Sequence, residues 1–145
     1  MSGDAPSDAA LRLDAAALNA FLAKAFPEAG PHLPVVIEAE PGRVLMRQAF
    51  TSRALRPGGL ISGPTQMAMA DTAAYAAVLA HIGEVAMAVT SSLTIHFLRG
   101  AKPGDLYAEG TLLKLGRKIA TVEVLIWSET RARAAAKATV AYAIP

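Results

Sequence analysis

The sequence predicts an α+β domain in which an antiparallel sheet lies over one long apolar helix. Two observations carry this. Residues 64–80, PTQMAMADTAAYAAVLA, open on a proline and are apolar on nearly every side. A helix of that kind has to be enclosed by the rest of the chain. From Val85 onward the apolar period changes to two, in runs broken by turn residues, as in strands that bury one face.

Taken in order, Asp14 is placed to cap a short helix running to about Phe26, with Leu18, Phe21, Leu22 and Ala25 on one face. Pro27 stops that helix, and the proline-rich stretch from Glu28 to Pro34 reads as a connector. Val35–Glu40 and Arg43–Phe50 flank Pro41-Gly42 as a hairpin. The turn-forming loop 56–63, RPGGLISG, leads into the apolar helix, which runs from Pro64 to about His81 and ends at Gly83. Val85, Met87, Val89, Leu93, Ile95 and Phe97 then alternate with small and polar residues as one long half-buried strand. Asp105–Leu115 and Arg117–Trp127 form two more strands, joined by a tight turn at Gly116.

Arg131–Ala143 closes the chain as a strand, with Ala132, Ala134, Ala136, Ala138 and Val140 on one small apolar face. Alanine favours helix, but Thr139, Val140 and Tyr142 lie in the run and the preceding strands need a partner. The order is β-β-α-β-β-β-β, an α+β layer architecture in a single domain over residues 1–145, with residues 1–8 expected to be disordered.

Composition narrows the function. Hydrophobic residues are 53% and charged residues 18%, enough for a sizeable core and lean enough at the surface to point to an oligomer. The net charge of +2 comes without a Lys/Arg cluster on one face, so nucleic acid is not expected as a partner. The absence of cysteine excludes disulfides, thiol nucleophiles and thiolate metal ligands. No two of the three histidines share an element at ligand spacing, so no metal is expected. The first residues carry acids and no apolar core of a leader, and the longest apolar run, 73–80, is too short to span a bilayer. The expectation is a cytoplasmic protein without membrane partners.

One residue stands against its surroundings. Asp71 is the only ionisable acid or base in residues 64–80. An unpaired buried carboxylate costs several kcal/mol or is driven toward its neutral form. It lies about two turns into the helix, beyond the first turn where the helix dipole would favour it. A place facing solvent, or an ion pair with an arginine of another element, is the structural alternative. Upstream, Gly58, Gly59 and Gly63 would let backbone amides approach a ligand. Amides at a helix start favour negative charge, which is what an oxyanion from carbonyl attack needs.

The stretches ISGPTQMAMADTAAYAA and AVTSSLTIHFLRGAKPGDLYAEGTLLKLGRKIATVEVLIW resemble the hotdog-fold thioesterases of the phenylacetate-degradation type. The resemblance spans roughly residues 43–145. Ser62-Gly63-Pro64 stands where that family has His-Gly-Gly, and Asp71 falls at the place of its helix acid. Thr90, Leu93, Ile95, Phe97, Leu98 and Arg99 match its long strand, Gly104-Asp105 the turn after it, and Gly116-Arg117 its hairpin. Pro64 has no N–H to donate, whereas Gly63 keeps one.

The resemblance implies a hotdog fold, with the sheet wrapped around the central helix, and hydrolysis of an acyl-CoA thioester. Coenzyme A enters as part of the substrate, and no further cofactor is implied. The Gly63 amide would polarise the thioester carbonyl, and Asp71 of the partner copy would attack it or activate water. Ser62 would bond to the thioester or the carboxylate. Met67, Tyr75 and Leu79 are expected around the acyl group. Thr90, Ser91 and Ser92 are expected along the pantetheine arm, and Arg56, Arg99, Lys102, Arg117 and Lys118 near the phosphates. A homodimer or a tetramer of dimers follows if the long strand pairs across a twofold. Two other functions fit the same fold: a non-catalytic acyl-CoA binder, and a hydratase or dehydratase, which would usually add a histidine near the helix start, where this chain has Ser62.

Overall fold

A computed structural model describes residues 10–145; the expectation for residues 1–8 lies outside them. Helix α1 (Ala15–Ala25) is capped by Asp14, whose side chain accepts from the Ala17 amide, and it buries Leu18, Phe21 and Leu22. A 3-10 segment (Pro27–His32) connects it to β1 (Val35–Glu40) and β2 (Arg43–Gln48). The two-residue strands β3 (Leu55–Arg56) and β4 (Leu60–Ile61) follow, and then helix α2 (Gly63–Ile82). The chain ends with β5 (Val89–Phe97), β6 (Leu106–Leu115), β7 (Ile119–Trp127) and β8 (Ala136–Ala143). Six strands form one antiparallel sheet in the order β1-β2-β6-β7-β8-β5.

The sheet curls around α2, as the resemblance implies. Ala70, Ala73, Ala74, Ala76, Ala77 and Ala80 of α2 are fully buried. They meet an inner sheet face built from Val44, Met46, Ala108, Val122, Val124, Ile126, Ala138 and Val140. Their smallness sets the helix-to-sheet distance. At Gly110 of β6 a Cβ would lie 3.2 Å from the Ala73 carbonyl oxygen and 3.5 Å from the Ala77 Cβ. The few larger residues, Met69, Val78 and Leu79, are also fully buried, each contributing roughly 1.5–3 kcal/mol. Gly116 closes the β6–β7 turn, where its amide donates to the Ile119 carbonyl (2.9 Å) and a Cβ would stand 2.8 Å from that oxygen.

Several expectations are corrected. The long strand begins at Val89, not Val85. Residues 85–88 form a turn, closed by the Ala88 amide on the Val85 carbonyl, that leaves Met87 72% exposed. The alternation is also not continuous, because β5 carries a bulge between Thr90 and Ser92. A bulge inserts one unpaired residue and reverses the faces on either side of it. Thr90 is thereby turned onto the helix side with its partner Tyr142, and Val89 is turned outward. The final strand starts at Ala136; Arg131–Arg133 is a 3-10 turn and Ala132 is exposed. Gly58 and Gly59, at φ 98° and 76°, close the β3–β4 turn and are exposed. Their left-handed backbone serves that turn rather than the start of α2.

Candidate functional site

Asp71 lies on α2 at the mouth of a cavity of about 630 Å³. The cavity is walled by Phe26, Leu33 and Pro34 from the N-terminal segment, Tyr75 from α2, Val89 and Thr90 from β5, and Tyr142 from β8. Two hydroxyls converge on one carboxylate oxygen. Thr90 Oγ1 donates to Asp71 Oδ1 at 2.6 Å and Tyr142 Oη to the same atom at 2.7 Å. Asp71 Oδ2 has no hydrogen-bond donor among the described residues. The charge is thus met by neutral donors rather than by an arginine, which sets aside the ion-pair alternative. Burial, and the anionic Asp71 facing it, raise the Tyr142 hydroxyl well above the usual phenol range, so it remains a donor. Tyr75 is raised too, by burial, and its hydroxyl donates to the Ala86 carbonyl at 3.0 Å.

The start of α2 is a second locus. Ser62 is its N-cap: Oγ accepts from the Thr65 amide (3.3 Å) and pairs with Thr65 Oγ1 (2.8 Å). Gly63 follows at the first helical position, where its N–H has no intrahelical acceptor and meets none among the described residues. A side chain at Gly63 would run into the Phe97 ring, 3.3 Å away. Eight residues of helix separate Gly63 from Asp71, a rise of about 12 Å. A single copy therefore cannot bring the amide and the carboxylate to one carbonyl.

The remaining expected residues divide. Tyr75 and Thr90 join Asp71, whereas Met67 is half exposed outside the cavity and Leu79 is enclosed in the core. Ser91 is the bulge residue, and it and Ser92 are exposed on the open edge of β5. Arg56 donates to the Pro57 carbonyl, Arg99 to the Ala134 carbonyl (2.7 Å), and Lys102 lies 3.8 Å from Glu129. Arg117 and Lys118 sit at the β6–β7 turn, where Arg117 shares a shallow recess with Arg12 and His81 at the far end of α2. Basic residues thus occur at both ends of the helix and not beside Asp71.

Two residues were missed from sequence. Tyr142 could have been found: it continues the inner-face phase of Ala136, Ala138 and Val140, and a large polar-tipped side chain there needs a partner. Phe26 appeared only as the end of a helix, yet its ring stands edge-on to Tyr75 at 6.1 Å. Among the described residues no group of three or more His, Cys, Asp or Glu could hold a metal. No described helix is long and apolar enough to cross a membrane.

Residues 58–135 match the family model described as the thioesterase superfamily. Among solved structures, the chain is similar to a candidate thioesterase of Silicibacter sp. TM1040, at 38% identity over 94% of this chain and 95% of that one, with a TM-score of 0.86. It shares its fold with a phenylacetic acid degradation-related candidate thioesterase of Ralstonia eutropha JMP134, at 23% identity, 86% and 98% coverage and a TM-score of 0.75. Zebrafish thioesterase superfamily member 2 has that fold too, at 17% identity, 92% and 99% coverage and a TM-score of 0.77. None of the curated proteins matches the sequence. On the family match and the 38% likeness together, this hotdog chain belongs to the thioesterase superfamily.

Proposed function

We propose that the protein hydrolyses acyl-CoA thioesters to free acid and coenzyme A, with Asp71 as nucleophile or general base. The observation that carries this is a single carboxylate in a mostly apolar cavity, held by two hydroxyls that leave Oδ2 free. Membership of the superfamily supports thioester hydrolysis in general. The Gly63 N–H, unpartnered at the helix start, is the donor for the carbonyl and for the oxyanion that develops from it.

The gap between Gly63 and Asp71 along α2 argues for a homodimer in which each site takes its amide from one copy and its carboxylate from the other. The unpaired edge of β5, with Val89, Phe97 and Leu98 each about half exposed, supports pairing along that strand. A tetramer of such dimers is compatible with the same edge. Tyr75 and Phe26 line the acyl side. Arg56, Arg99, Lys102, Arg117 and Lys118 are the cations offered to the coenzyme A phosphates; their removal should raise KM with little change in kcat.

Thiol release from short, medium, long and aromatic acyl-CoAs, measured for wild type and Asp71→Asn, tests the reading. Turnover in wild type that is lost in the variant supports it. Binding without turnover in wild type would replace it with an acyl-CoA carrier, a function favoured by Pro64, which removes an amide donor next to Gly63.

A further inference from the structure

Tyr142 lies beyond residues 58–135, the span matched by the family model. Its neighbours on the inner face of β8 are small: Ala136, Ala138 and Val140. A buried phenol hydroxyl needs a hydrogen-bond partner. Tyr142 is 3% exposed, and its hydroxyl lies within reach of two acceptors, Asp71 Oδ1 at 2.7 Å and the Asp71 carbonyl oxygen at 3.1 Å. It has one proton to give. The carboxylate contact is the shorter, and a charged acceptor makes the stronger bond.

The ring itself is held in place. Tyr75 packs against it with centroids 5.7 Å apart, and Tyr75 is anchored through its own hydroxyl to Ala86. Thr90, the other donor, stands exposed on the unpaired edge strand. The rigid contact to the carboxylate is therefore the one from β8.

We propose that Tyr142 is a positioning residue for Asp71, fixing its carboxylate rotamer and occupying Oδ1 so that Oδ2 is the oxygen that acts on substrate or water. The proposal rests on the thioesterase reading above. It assigns the two oxygens different roles: Oδ1 is the tether and Oδ2 the reacting atom. Loss of the tether lets the carboxylate turn, and an error of about 1 Å at a reacting group can cost a hundredfold in rate.

The test is Tyr142→Phe, which keeps the ring and its packing and removes only the hydroxyl. With the acyl-CoA that wild type hydrolyses best, kcat is expected to fall roughly tenfold to a hundredfold while KM stays within about twofold. A merely structural role would lower the melting temperature without that split. Proton NMR supplies a readout that does not depend on activity. Wild type should show a slowly exchanging hydroxyl resonance that is absent in Tyr142→Phe and displaced in Asp71→Asn. An active wild type with unchanged kcat in Tyr142→Phe overturns the proposal and leaves the functional reading standing. A wild type inactive on every acyl-CoA overturns both. Should Tyr142→Phe fail to fold, the NMR result decides: no protected hydroxyl proton in wild type, or one unmoved by Asp71→Asn, overturns the proposal.

Discussion

At the β1 edge of the sheet, Asn19 of α1 lays its side-chain amide against the backbone. Nδ2 donates to the Val36 carbonyl at 3.0 Å, and Oδ1 accepts from the Val36 amide at 2.8 Å. The side chain thus does what a neighbouring strand would do. At the β5 edge no side chain among the described residues plays that part, and Val89, Phe97 and Leu98 are left about half exposed. An open apolar edge is a hazard unless something covers it. The chain meets one edge from within at Val36, and the β5 edge is the one that carries Thr90 to Asp71.

Four variants would break or sharpen that contrast. The largest effect is expected at the β5 side, where Asp71→Asn should lower turnover by roughly a hundredfold or more at an unchanged melting temperature, since the amide is isosteric but neither base nor nucleophile. Parallel rate and melting measurements would show it, and unchanged turnover would remove Asp71 from the chemistry. Next, charge on the open edge, Val89→Glu with Leu98→Glu, should leave a folded monomer at micromolar concentration in sedimentation and cost most of the activity. A double variant that sediments as wild type does would place the contact between copies elsewhere.

The other two lie on the β1 side. Glu109 is 6% exposed on the outer face of the sheet, between Arg43 (2.7 Å) and Arg131 (2.7 Å). Burial alone would raise its carboxyl, but hydrogen bonds from Arg131 and Arg43 outweigh burial and hold it below the ordinary glutamate range. Its contribution is complete above the unfolded glutamate range, near pH ~4.3, and is lost as pH falls through the lowered folded value. Glu109→Gln should therefore cost about 2 kcal/mol near neutral pH. The urea midpoints of variant and wild type should converge as pH drops below about 4. The smallest effect is Asn19→Ala, worth about 1 kcal/mol in the same assay with kcat unaffected. A kcat that followed Asn19 would mean that the closed edge also shapes the site.

Much of this was legible beforehand, for physical reasons. The enclosed helix and the lone carboxylate show in the sequence because an all-round apolar surface and a single charge leave few placements. The sheet shows because its period survives in β6, β7 and β8. The bulge in β5 does not show. One added residue leaves the apolar alternation of Val89, Leu93 and Ile95 intact on paper while reversing the faces, so the pattern alone does not put Thr90 on the helix side. The Val85–Ala88 turn was hidden in the same way, its apolar residues continuing the strand's rhythm. Tyr142 shows in the sequence only as a strand former, since its value comes from a residue far away in the chain.

The cavity beside Asp71 joins two stretches of chain that are packed to different degrees. Its chemical side is on α2, where alanines packed onto Gly110 leave almost no volume for variation. Its opposite wall comes from Phe26, Ala29, Leu33 and Pro34, ahead of the residues matched by the family model. Ala29, Leu33 and Pro34 of that wall touch neither the carboxylate nor its two hydroxyls through a hydrogen bond, whereas Phe26 reaches them through its ring contact with Tyr75. For protein engineering, Ala29, Leu33 and Pro34 are the natural places to retune acyl selectivity, with Phe26 kept for its contact with Tyr75.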